Sequence, residues 1–254
     1  MSESTHFKGK DAVAHVAEAH ARGIIASSEV HGTEIPGSIS AGTDSARETA
    51  LVLLLIFLFA SGYGLLPSSI LFCFLIFLPG WLVWKVGRSG WLGWSRLERL
   101  HRILDEEKWE IEHNRTQERE ELKALYAAKG FEGKLLEEVL DVLMADGDRL
   151  LKVMIEEELG LSLEVHEHPL KQSLGAGLGV VISAALCLAG FILFFSFGLL
   201  GAALVTMIGS SWIAARYEGN QLIPAVVWNV AILLLSLAAS LFLFQYLIQA
   251  GWMP

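Results

Sequence analysis

Four glutamates, Glu107, Glu110, Glu118 and Glu121, lie close together in an acidic stretch of the chain. On a helix turning about 100° per residue they project within an arc of about 80°, with Asn114 in the middle of the stripe. Carboxylates crowded on one face repel one another, so such a row is costly unless cations neutralise it. Hard divalent cations take oxygen ligands of this kind. Met154 and Glu158 stand i and i+4 on a later helical stretch and place a thioether beside a carboxylate. That pairing shifts preference away from magnesium or calcium toward a softer first-row ion, and Fe(II) and Mn(II) suit it. The competing reading is that these glutamates form an ordinary solvated face and that Met154 fills a core.

Other polar groups carry weaker signals. Glu110-x-x-His113 is half of the motif that di-iron helical bundles need twice, and no second copy occurs. No enzymatic activity and no organic cofactor are therefore expected. His166 and His168 flank Glu167, and His6, His15, His20 and His31 make the N-terminal segment histidine-rich. Cys73 and Cys187 both fall in apolar stretches and read as small apolar residues, not as a disulfide or a zinc site.

The elements that must carry these residues are set by hydropathy. Of the 254 residues 53% are hydrophobic, more than a soluble chain of this size usually holds, and they are gathered in blocks. Five blocks, at 49–66, 67–86, 174–196, 197–215 and 222–248, approach the length of about 20 apolar residues that a membrane-spanning helix needs. Pro79-Gly80 is expected to kink or interrupt the second. Residues 97–170 hold 20 of the 28 acidic residues and 10 of the 19 basic ones, so the net charge of −9 is concentrated in one soluble insert. That argues for cations as partners and against nucleic acid. The insert reads as three helices, at 95–127, 132–145 and 147–159, with Leu135, Leu136, Val139, Leu140 and Leu143 forming a buried stripe on the second.

The division expected is a cytoplasmic N-terminal segment at 1–48, spans 1–2 at 49–86, an acidic metal-binding insert at 87–173, and spans 3–5 at 174–254. Within the N-terminal segment, residues 10–22 suggest a short helix and residues 31–46 a loop. Residues 1–45 lack the apolar core of a signal peptide, so the first span is expected to act as its own insertion signal. Lys85, Arg88, Arg96, Arg99 and Arg102 follow the second span, Lys171 precedes the third, and Arg216 separates the fourth from the fifth. The other two connections are uncharged. The positive-inside rule then places the N-terminus and the insert in the cytoplasm and the C-terminus outside, with a plasma or bacterial inner membrane favoured.

The insert resembles the cytoplasmic metal-binding domain of the vacuolar iron transporter family, through EREELKALYAAKGF at 118–131, DRLLKVMIEEELGL at 148–161 and HPLKQSL at 168–174. The resemblance implies an all-α fold of five transmembrane helices, with a three-helix metal-binding domain between the second and third. It implies a homodimer that moves Fe(II) or Mn(II). It also implies metal ligation by Glu107, Glu110, Glu118, Glu121, Met154 and Glu158. Where that family usually carries an aspartate in its first span and a methionine with Gly-Glu-Tyr in its second, this chain has ALVLLLIFLFASGYGLL and SILFCFLIFLPGWLVWKV. Ionisable groups within spans are the usual markers of ion pathways. A membrane-anchored metal buffer or sensor that does not translocate is therefore the alternative expectation.

Overall fold

A computed structural model describes residues 37–157 and 167–251, all of whose regular structure is helical. The helices are α1 Gly37–Gly62, α2 Pro67–His113, α3 Arg115–Ala128, α4 Gly133–Met144, α5 Gly147–Glu157, α6 Pro169–Glu218 and α7 Leu222–Gln249. The expected helix at 10–22, and Glu158 and His166, lie outside the described residues. The chain forms two compact units, one holding Ile35–Ser95 and Glu167–Pro254, the other holding Arg96–His166.

In the first unit, α1, α2, α6 and α7 are each long and apolar enough to cross a membrane. Ile76, Phe197, Ile223 and Phe242 are all largely exposed, and Leu233 is the one buried side chain of α7. Water would penalise so much exposed apolar surface; lipid does not. Inside, Leu53, Ile70, Phe74, Cys187, Phe191 and Leu199 form the packed core.

α1 begins well before the predicted span. Residues 37–46, expected as loop, are helical, and α2 is not interrupted at Pro79-Gly80: Pro79 lies inside it. The small residues that resembled a turn instead let two backbones meet. A Cβ on Gly175 would stand 2.0 Å from the Ser38 carbonyl oxygen, and one on Gly179 would stand 2.0 Å from that of Gly42. α2 joins the same bundle where the Ser89 hydroxyl donates to the Gln172 carbonyl at 3.2 Å.

α6 is two helical arms joined at Phe194 and Phe195, whose backbone angles are not helical. Phe195 takes φ 51°, an uncommon value for a bulky residue. Its ring packs against Phe57 and Phe191 at centroid distances of 5.7 and 5.2 Å. A Cβ on Gly190 would lie 2.3 Å from the Gly198 carbonyl oxygen, whereas a straight helix would separate those residues by about 12 Å. The two arms therefore fold back on each other.

In the second unit, Ile111, Leu122, Leu136, Leu140, Leu150 and Met154 make the core, with Tyr126, Phe131 and Leu143 packed around them. The turn at Lys129-Gly130-Phe131 is present, with Gly130 at φ 91°. The helix expected over 95–127 is not continuous. Its first part is the end of α2, and the chain breaks at Asn114, with φ −120° and ψ 32°, before α3 starts. Asparagine is a weak helix former in an interior position and a favoured one at a helix start.

Candidate metal centre

The glutamate stripe is therefore built on two helices. Glu107 and Glu110 sit in the last turns of α2, and Glu118 and Glu121 in the first turns of α3. At the junction the Asn114 N–H donates to the Glu110 carbonyl at 2.7 Å, and the Glu118 N–H donates to the Asn114 carbonyl at 3.2 Å. The Arg115 guanidinium donates to the Met144 carbonyl, which fastens the start of α3 to the end of α4.

All four glutamates are buried: Glu107 is 6% exposed, Glu110 5%, Glu118 1% and Glu121 1%. Their sequence neighbours Glu106, Glu112 and Glu120 are exposed. A solvated face would expose both sets alike. Burying a carboxylate costs several kcal/mol unless charge or hydrogen bonds compensate it, on the order of the whole stability margin of a domain when repeated. The fold thus buries one set and not the other, and Ile111 and Leu122, the residues after Glu110 and Glu121, belong to the core of this unit.

Met154 is fully buried in that same core cluster. Glu158 lies outside the described residues. Among the described residues, no three His, Cys, Asp or Glu side chains converge closely enough to hold a metal ion. The half-motif histidine is elsewhere: the His113 ring stacks on Trp109 at 4.5 Å, and its Nδ1 lies 2.9 Å from the Trp109 carbonyl oxygen.

The outer face of α3 is tied to α4 by ion pairs. Arg119 reaches Glu137 at 2.8 Å and Asp141 at 3.0 Å, and Lys123 reaches Glu137 at 2.6 Å. The Glu137 carboxyl is held below its ordinary range, chiefly by the hydrogen bond from Lys123; desolvation opposes this, and the Lys123 and Arg119 charges add to the lowering. A carboxyl whose folded pKa is depressed stabilises the fold above the unfolded value, near ~4.3 for glutamate, and loses that contribution as pH falls below it. Glu137→Gln should therefore lower the urea midpoint of the full chain slightly at pH 7 and leave it unchanged near pH 3. An equal loss at both pH values would contradict this account.

One constellation escaped the sequence reading because it straddles a predicted boundary. Glu48 is the residue just before the predicted first span, yet it lies inside α1. The Lys85 ammonium of α2 donates to its carboxylate at 2.7 Å. The usable signal was the D-S-A-R-E run at 44–48, leading without a break into apolar sequence.

An all-helical chain with four helices fit to cross a membrane, and an acidic helical unit carrying buried carboxylates, defines a multi-pass membrane protein. A family model described as the VIT family matches residues 95–245, well over half of the chain. The chain belongs to the vacuolar iron transporter family, whose members are membrane metal-ion transporters. No curated protein matches the chain.

Proposed function

We propose that this protein carries Fe(II) or Mn(II) across a membrane as a homodimer, with the buried glutamates of its acidic unit collecting the ions on the cytoplasmic side. The observation that carries this reading is the burial of Glu107, Glu110, Glu118 and Glu121 beside exposed Glu106, Glu112 and Glu120. Buried oxygen donors in number are what a hard or borderline divalent cation requires. Met154 and Glu158 complete the proposed ligand set. The two arms of α6 support a reading of five crossings, and the distribution of basic residues supports an acidic unit and N-terminus on the cytoplasmic face with the C-terminus outside.

The homodimer is what the family resemblance implies. In one copy the glutamates lie along two consecutive helices and are already buried there. Eight such carboxylates in a dimer hold more charge than one divalent ion offsets, so each dimer takes up more than one.

A metal buffer that does not translocate is the second reading. It draws on the wholly apolar stretch of α1 from Ala50 to Ala60. Both readings share the first test. The full chain in nanodiscs should bind more than one Mn(II) per dimer in calorimetry, and light scattering should give two copies per particle. Monomers at micromolar concentration, or no Mn(II) bound, would overturn the shared part of the proposal.

A further inference from the structure

Among its described residues the membrane unit holds one buried ammonium. Lys85 has a side chain 8% exposed, and it is bonded to Glu48, whose own side chain is 44% exposed. The ammonium also stands 5.9 Å from the centre of the Trp81 ring, one helical turn earlier on α2. Trp81 is itself fixed: its indole N–H donates to the Thr49 hydroxyl at 3.0 Å, and that hydroxyl donates to the Ser45 carbonyl at 2.6 Å. One turn of α1 and one turn of α2 thus build a seat for a cation.

The seat lies deep. At 1.5 Å per residue, Glu48 is roughly 21 Å back from Gly62 along α1, and Lys85 roughly 27 Å on from Pro67 along α2. Both distances fall within a hydrocarbon core of about 30 Å, toward the end away from the Gly62–Pro67 turn. The other carboxylates of this unit's described residues are Asp44, Glu167 and Glu218, and none lies as far inside an apolar helix as Glu48.

A second pair, one residue away, behaves differently. Arg47 is held by Asp44 on its own helix and also donates to Asn229 of α7 at 3.3 Å. It is anchored from two helices and reads as a structural clamp. Lys85 has one carboxylate partner and a flexible four-carbon stem, and the half-exposed Glu48 leaves room for a second cation to approach.

We propose that Lys85 is a tethered gate: its ammonium occupies the cation position of Glu48, and a divalent ion moving through the membrane unit must displace it. The inference rests on the transport reading, and the experiment separates the two. The full chain and its variants are reconstituted in proteoliposomes, and Mn(II) entry is followed with an internal quenching dye. Lys85→Met should admit Mn(II) about tenfold faster than the parent, since a charge pair in a low-dielectric setting is no longer broken at each passage. Glu48→Gln combined with Lys85→Met should remove that gain, and Lys85→Arg should stay at the parent rate. If Lys85→Met fails to give monodisperse protein, Lys85→Gln keeps a neutral donor for Glu48 and should still give a gain of about threefold.

A parent that conducts while the monodisperse Lys85 variant is no faster overturns the gate and leaves transport standing. A silent parent with a conducting, Glu48-dependent variant supports the gate and counts against transport by the parent. Silence in both overturns both.

Discussion

Changing Glu118 and Glu121 together to Gln should abolish most Mn(II) binding by the full chain, by at least about a hundredfold, because two ligand charges are lost at a buried site. The amides keep nearly the same volume and still accept hydrogen bonds, so the fold should survive. One consequence separates this from general damage. The stabilisation that the parent gains from metal binding should vanish in the variant. The exposed pair Glu112 and Glu120, changed in the same way, should retain both affinity and metal-induced stabilisation. If the Glu118/Glu121 variant binds as the parent does, the buried stripe is not the ligand set.

The second large effect is expected between α1 and α6. Alanine is the better helix former by about 1 kcal/mol, so Gly→Ala inside a helix ordinarily stabilises. At Gly175 and Gly179 the new methyl would stand 2.0 Å from a backbone carbonyl oxygen of α1. A backbone cannot swing aside as a side chain can, so the helices must part. Overpacking of this kind costs about 1–3 kcal/mol per site, which outweighs the propensity gain. The double Gly175→Ala, Gly179→Ala variant should therefore unfold at a clearly lower temperature in detergent. Gly201 and Gly209, in the other arm of α6, have open space where a Cβ would go. Alanine there should be neutral or mildly stabilising. Equal effects at the two pairs would contradict the close approach described for α1 and α6.

Those same glycines explain part of what the sequence concealed. The run GSISAGTDSA has the composition of a turn, and only a partner helix reveals that its small residues serve backbone contact. The acidic residues were legible because crowded like charge is a local property of sequence. Their arc was computed for an unbroken helix, and the break at Asn114 is invisible to that arithmetic. Burial distinguishes Glu121 from Glu120, and it depends on what packs around the helix, which no local spacing reveals. The Glu48–Lys85 pair joins residues far apart in sequence, so no spacing rule finds it. The hairpin at Phe194–Phe195 was nearly legible: the boundary between the third and fourth apolar blocks fell at 196–197, two residues late, because phenylalanine gives no turn signal.

The account stands or falls on movement of metal through the membrane unit. The decisive measurement is Mn(II) entry into proteoliposomes containing the full chain, under an imposed Mn(II) gradient, alongside the Glu118→Gln, Glu121→Gln variant. The prediction is entry well above that of protein-free vesicles, slowed when the two glutamates are neutralised. Tight Mn(II) binding by the parent with entry no faster than in empty vesicles would contradict transport and leave a membrane-anchored metal buffer in its place.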